Sequence, residues 1–414
     1  MFGRILSACQ EKDETLGPLI NFIIFDLMYK FLLSILISAS FLLPAKAQVI
    51  TGADRTAEYL PLLKGKRVAL LVNQTATIGN THLVDSLLKL RVNIQKIFSP
   101  EHGFRGKADA GEKVGNSKDA ATGLTIVSLY GKHRKADAND LKDVDILIFD
   151  IQDVGTRFYT YISSLQELME SAAENNKPLI ILDRPNPNGH YVDGPVLDTA
   201  LRSFVGMQPI PIVHGMTVGE YAQLLNGEKW LKNGVQCKLT VIKCQQYDHH
   251  TYYQVPVKPS PNLPNMASIY LYPSTCLFEG TALSLGRGTD LPFQVYGSPE
   301  FPKNLYSFTP HSTEGAKEPP LKDVTCYGYN LTGTPEECRA KMGNQVQLKW
   351  LIQSYQLFPN KDKFFISSFN RLAGNTTLQQ QIKQGMSEAA IRQSWEPALK
   401  HFKTIRKKYL LYAE

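Results

Sequence analysis

The stretch VDILIFDIQDVGTRFYTY, residues 144–161, holds the pattern that decides the fold. Asp145 to Phe149 is a short, mostly apolar run that stops at the polar loop Asp150-Ile151-Gln152-Asp153, and from Ile162 to Ala173 apolar residues recur at the helical period. Three other runs end in the same way. Val68 to Val72 leads into Asn73-Gln74-Thr75, Ile94 to Phe98 into Ser99-Pro100-Glu101-His102-Gly103-Phe104-Arg105-Gly106, and Leu179 to Leu182 into Asp183-Arg184-Pro185-Asn186-Pro187. Leu83 to Leu90 adds a helical stretch between the first two. Strands alternating with helices predict βαβ units and a mostly parallel, Rossmann-like sheet. In such a sheet ligands bind beyond the carboxyl ends of the strands, so the four loops should converge on one cleft. The first strand runs into Asn73 to Thr77 instead of G-x-G-x-x-G, so its backbone cannot close on a pyrophosphate and no dinucleotide cofactor is expected.

The first 47 residues stand outside this pattern. Lys30, the apolar stretch Phe31 to Leu43 and Ala45-Lys46-Ala47 form a secretory signal with cleavage expected before Gln48. Because Met28 opens that signal by itself, it is the expected translation start. The apolar stretch falls short of the roughly 20 residues of a membrane-spanning helix, and no cysteine follows the cleavage point, so no stable membrane insertion is expected. Removing 47 residues leaves 367 of the 414, above the usual size of one core, so two domains are expected: residues 48–260, and a smaller α/β domain over 261–414. The turn-rich Pro259-Ser260-Pro261-Asn262-Leu263-Pro264 marks the junction.

The leader carries four basic and four acidic residues, so the remainder keeps the net charge of +7. That balance suits an anionic polymer. Nucleic acid is not expected: the densest basic run, Lys403 to Lys408, reads as the solvated face of a terminal helix spanning Ser387 to Tyr412. Cys237, Cys244, Cys276, Cys326 and Cys338 are an odd set, which rules out a full disulfide framework and leaves a Cys237–Cys244 bridge open. Zinc spacings are absent, so no metal is expected.

Glu101 sits on a turn stiffened by Pro100 and Gly103, and a carboxyl fixed in a cleft suits a general acid, whereas a salt bridge to Arg105 would make it scaffolding. Asp150 and Asp153 sit three apart on one loop, so either could face the same cleft, and one of them is expected in a structural role. Arg157-Phe158-Tyr159-Thr160-Tyr161 mixes a cation, hydroxyls and rings, as a sugar site does. Glu279-Gly280-Thr281 through Leu285-Gly286-Arg287-Gly288-Thr289-Asp290 offers close backbone approach and an arginine fork, or else an internal Arg287–Asp290 pair. His214 precedes a helix opened by Thr217 with Glu220 at the capping-box position. G-x-S-x-G is absent, and Ser86-Leu87-Leu88-Lys89 lacks the partners of a penicillin-binding site.

Six blocks in order resemble the exo-β-N-acetylmuramidase family of glycoside hydrolases: Ser99 to Gly106, Phe149 to Tyr161, Leu182 to Pro187, His214 to Glu220, Pro259 to Pro264 and Glu279 to Pro292. The resemblance implies a Rossmann-like domain, a smaller C-terminal domain, an active-site cleft between them, and removal of terminal N-acetylmuramic acid from the non-reducing end of peptidoglycan fragments. It implies Glu101 as the catalytic residue; because the 2-acetamido group of that sugar permits substrate assistance, Asp153 or Asp150 is expected to orient it. The expected saccharide contacts are His102, Arg105, Arg157, Tyr159, Arg184, Asn186, His214, Glu279, Arg287 and Asp290, one of the arginines taking the lactyl carboxylate. A non-catalytic cell-wall binding protein is the alternative reading.

Overall fold

Seven strands of the described residues share one sheet: β1 (Val68–Val72), β2 (Ile94–Ser99), β3 (Ser117–Lys118), β4 (Thr125–Ser128), β5 (Ile146–Asp150), β6 (Leu179–Leu182) and β7 (Leu239–Ile242). The computed structural model describes residues 22, 24–31, 48–101, 103–105 and 115–414. Spatially the strands run β3-β4-β2-β1-β5-β6-β7, all parallel except the β3–β4 pair. From β1 the chain steps outward to β2 and β4, then returns to the other side of β1 with β5. The sheet therefore reverses direction between β1 and β5, where Val72 pairs with Asp150 and a crevice must open.

Both faces of this sheet are covered, which is why its strands read as unbroken apolar runs. Val68, Leu70, Val72 and Ile148 pack with Leu83, Val84 and Leu87 of helix α1 (Leu83–Lys89) on one face. Ala69, Leu71, Leu147 and Phe149 pack on the other against Leu165, Leu168 and Met169 of α2 (Tyr161–Glu174) and Leu224 of α3 (Val218–Gly227). Each fully buried large apolar side chain here contributes about 1.5 to 3 kcal/mol. Thr217 caps α3 through the capping box with Glu220, as its sequence predicts.

The C-terminal half holds a three-stranded antiparallel sheet among the described residues, from β8 (Val295–Ser298), β9 (Tyr306–Phe308) and β10 (Cys326–Asn330) in the order β8-β10-β9. Its core is continuous with the α2 face of the large sheet, through Trp350 and Leu351 of α4 (Leu348–Leu357) and Trp395 and Leu399 of α5 (Glu388–Arg406). Val49 to Glu414 accordingly forms one compact unit. The terminal helix ends earlier than its periodicity predicts, because Tyr412 leaves it to donate to Asp183 Oδ2 at 2.6 Å and to accept from the Cys244 amide at 2.8 Å. The open Cys237–Cys244 bridge is excluded. Both thiols are free, and the extended β7 between them separates their Cα atoms by on the order of 20 Å, beyond the reach of a disulfide.

Of the leader, residues 22 and 24–31 are helical. The Ala45-Lys46-Ala47 expectation lies outside the described residues, among which no helix is long and apolar enough to cross a membrane.

Candidate active site

Glu101 stands in the turn after β2, closed by the bond from the Gly103 amide to the Pro100 carbonyl (3.1 Å) and by Gly103 at φ +75°. Two hydroxyls hold its carboxyl: Tyr130 donates to Oε1 at 2.9 Å and Thr160 to Oε2 at 3.1 Å. Thr160 occupies the N-cap of α2 but makes no side-chain cap there, so its hydroxyl serves Glu101 instead of its own helix. Burial raises the Tyr130 phenol, and the Glu101 charge and hydrogen bond raise it further, which keeps it protonated as a donor. Arg105 is not the salt-bridge partner of Glu101. It lies on the Phe104 ring at 4.4 Å and grips both oxygens of Asp119 at 3.0 Å.

The neighbouring loops are stitched together by side chains. Asn73 Oδ1 accepts from the Thr75 amide and hydroxyl, Thr75 Oγ1 accepts from the Gln152 amide at 2.9 Å, and Gln152 Nε2 donates to the Pro185 carbonyl at 2.7 Å. One chain of bonds thus joins the ends of β1, β5 and β6. Gln74 Nε2 and the Tyr161 hydroxyl both donate to the Pro259 carbonyl, drawing the proline-rich segment to the same edge. Tyr161, near enough for the Glu101 charge to raise it further after burial, meets Tyr159 edge-on at 4.9 Å, and Tyr159 meets Tyr272 at 5.8 Å. Tyr272 packs on Phe293, over which Arg287 lies at 5.0 Å. A wall of rings therefore runs from Glu101 to Arg287, and Arg287 is paired with Glu279, not with the exposed Asp290.

Residues 68–267 match the family model described as exo-beta-N-acetylmuramidase NamZ, N-terminal, and residues 270–412 the model described as exo-beta-N-acetylmuramidase NamZ, C-terminal. The chain belongs to the NamZ family. It is similar to a Bacillus subtilis (strain 168) protein named peptidoglycan beta-N-acetylmuramidase NamZ, with 39% identity over 393 residues, 89% of this chain and 92% of that one. Two solved structures of Bacteroides fragilis NCTC 9343 proteins, both described as DUF1343 family, share its architecture. One has a TM-score of 0.83 at 49% identity, covering 89% of this chain and all of that one; the other has 0.74 at 30%, covering 88% and 99%.

Within this NamZ-family framework, several residues expected in the cleft do not reach it. Arg157 is wholly buried, donating to the carbonyls of Pro195, Ile210 and Leu372, and burial alone lowers it to about 9. Its place beside rings in sequence reflects packing: it ties the first half to the short helix Phe369–Ala373. Arg184 forks onto buried Asp150 at 2.5 and 2.9 Å, which leaves neither oxygen of Asp150 for substrate. Asn186 is a loop brace, Nδ2 on the Met216 carbonyl and Oδ1 under the Asn188 amide. His214 is buried, its Nδ1 accepting from the Met216 amide and its Nε2 lying 3.8 Å from Asp153. Burial lowers this imidazole to about 3, so it is neutral. His102 lies outside the described residues.

Asp153 differs from Asp150. Its Oδ2 accepts from the Gly155 amide at 2.6 Å, while Oδ1 is buried with no partner among the described residues. Burial raises this carboxyl from 3.8 to about 7, opposed in part by the Gly155 and Val154 amides. The folded value lies above the unfolded one, so the group is neutral in both states below about pH 4 and stability falls as pH rises toward 7. A rise from 3.8 to about 7 corresponds to roughly 4 kcal/mol. Asp153→Asn is expected to gain on the wild type by a few kcal/mol between pH 4 and pH 8 in denaturant melts. Parallel profiles for the two proteins would show that folded Asp153 is already ionised.

Tyr130, Thr160, Tyr161, Tyr272 and Asn73 are the site's unforeseen or unassigned members. The sequence carried a signal for Thr160 and Tyr161, which lie in the quoted ring-and-hydroxyl run, but none for Tyr130, one tyrosine among many, just after β4.

Proposed function

We propose that this chain is an exo-acting glycoside hydrolase releasing terminal β-1,4-linked N-acetylmuramic acid from the non-reducing end of peptidoglycan fragments, in cell-wall turnover, after export to the periplasm or beyond. The clamp on Glu101 carries the reading. Two of the groups that hold it, Tyr130 and Thr160 among the described residues, are hydroxyls, and a hydroxyl can donate or accept. Tyr130 and Thr160 hold an ionised carboxylate by donating to it, and a protonated acid by accepting from it. A guanidinium in their place would favour the ionised form alone. A residue that gives a proton to the leaving oxygen and later recovers one requires such a mount. NamZ family membership and the name of the Bacillus subtilis relative support the same chemistry.

N-acetylmuramic acid supplies two recognition handles. Its acetamido oxygen can attack the anomeric carbon as Glu101 protonates the departing glycosidic oxygen, and a carboxylate then orients the acetamido N–H. Of the two acids considered for that role, Asp150 spends both oxygens on Arg184, whereas Asp153 keeps one without a partner among the described residues, buried beneath the loop, so this role requires the substrate to open access to it. The lactyl carboxylate falls to Arg287, which is one-fifth exposed and bonds Glu279 through Nε and one terminal nitrogen, leaving the other terminal nitrogen to donate a charge-assisted hydrogen bond to an anion.

The test is a chromogenic N-acetylmuramide run beside the matching N-acetylglucosaminide. Turnover of the muramide with marked preference is expected, and no turnover of either would favour a binding protein. Arg287→Ala should raise KM for the muramide about tenfold or more, since a charge-assisted contact contributes roughly 1.5 to 3 kcal/mol. Unchanged preference in that variant would remove arginine recognition at this position. Export predicts a secreted form starting at or near Gln48, and mass spectrometry finding Met1 or Met28 on exported protein would refute it.

A further inference from the structure

A cavity of about 470 Å³ lies between α5 with its following turn and the loops around residues 189–192 and 249–250, and none of its lining residues is among those that hold Glu101. Lys400, Lys403 and Lys407 line it at helical spacing from one side. No acid pairs with any of the three among the described residues, whereas neighbouring Lys408 is taken by Glu228. The one acid in the lining, Glu414, is paired with Arg406. The run read from sequence as a solvated helix face is therefore partly the wall of a concave site. Of the three, Lys407 feels the charge of Glu414, which is already shared with Arg406, and three ammonium groups lining one cavity repel each other, a repulsion that a bound anion would offset.

A second observation sits deeper. His249 is 3% exposed and binds Glu220 through Nε2 at 3.0 Å, but its Nδ1 has no partner among the described residues. The hydroxyl of Tyr191, 8% exposed, also has none among those residues. Both residues line the cavity. Gly189 keeps the approach open, because a Cβ there would come within 3.3 Å of His249 Nδ1. Buried polar atoms without partners cost about 1 to 3 kcal/mol each unless something satisfies them. Burial raises the Tyr191 phenol, so it remains a neutral hydroxyl.

From this juxtaposition we propose a second binding site, for a sugar phosphate: the lysines hold the phosphate, and Tyr191 Oη with His249 Nδ1 receives the sugar hydroxyls. Lysine is a point charge suited to a multiply charged phosphate, and one carboxylate would leave the triad undercompensated. The volume fits a small molecule and exceeds what a bare phosphate fills.

The test is calorimetric titration of the full chain with glucose 6-phosphate, inorganic phosphate and glucose. Glucose 6-phosphate is expected to bind at least tenfold more tightly than inorganic phosphate, to weaken as salt rises, and to outbind glucose by a similar margin. The triple variant Lys400→Gln, Lys403→Gln, Lys407→Gln should lose this binding while keeping wild-type muramide turnover. Tyr191→Phe should weaken glucose 6-phosphate severalfold and leave inorganic phosphate unchanged. Absence of binding at millimolar glucose 6-phosphate, or binding that survives the triple substitution, overturns the site. Equal affinity for inorganic phosphate overturns the sugar part of the assignment.

Discussion

Glu101→Gln is expected to abolish cleavage of a muramic-acid-terminated disaccharide while the protein melts as the wild type does. Glutamine keeps the shape, and its carbonyl oxygen still accepts from one of Tyr130 and Thr160, which hold opposite oxygens at 2.9 and 3.1 Å. It has no proton to give, and general acid catalysis supplies about 10² to 10⁴-fold. The size of the loss should depend on the leaving group. A nitrophenolate departs without protonation, so an activated aryl muramide should recover much of the rate, whereas the disaccharide should not. A nucleophile or an acetamido-orienting residue would lose both substrates equally, and a scaffold residue would lower the melting point with them. Near-wild-type kcat/KM on the disaccharide would remove Glu101 from the acid role. Glu101 is half-buried on the turn after β2, so a stability change as large as a core substitution is not expected.

The sheet was legible because each of its central parallel strands is buried on both faces, which gives a run such as Val68 to Val72 an abrupt polar end at Asn73. The Thr217–Glu220 cap was legible because its bonding is local. Pairings across the fold left no such mark. Arg287 chooses Glu279 eight residues away over Asp290 three residues away, since its place over Phe293 points it along the ring wall. Arg157 looked like a sugar contact because rings flank it, yet Tyr159 and Tyr161 run along the site's wall while the guanidinium turns into the core and is spent on carbonyls up to 215 residues away. The tail's return to Asp183, 229 residues from Tyr412, is equally invisible to any local pattern. What could be read were elements and loop ends; which charge meets which partner was decided by packing.

That distinction bears most heavily on Arg184, placed among the saccharide contacts by sequence and beside Asp150 by the fold. Arg184→Ala is expected to destabilise the protein by about 3 to 5 kcal/mol, because it strands a carboxylate with no exposed surface. Burial already pushes Asp150 upward and Arg184 is the main group opposing it, so in the variant the carboxyl should take up a proton. The Thr77 carbonyl, which accepts from Arg184 at 3.0 Å, loses a donor in the same step. Replacing both partners removes the charge along with its counter-charge. Asp150→Leu with Arg184→Met is therefore expected to recover most of the lost stability, as apolar pairs of similar volume do elsewhere. Activity separates the two roles that stability alone would confuse. If Arg184 only braces the ends of β5 and β6, the double variant should regain both its melting point and its KM for the muramide. If it touches substrate, the double variant should melt near wild type yet keep a KM raised tenfold or more. The first outcome is the expected one, since Arg184 spends Nε and one terminal nitrogen on Asp150, that same terminal nitrogen also reaches Thr77, and only about 3% of the residue is exposed to any ligand.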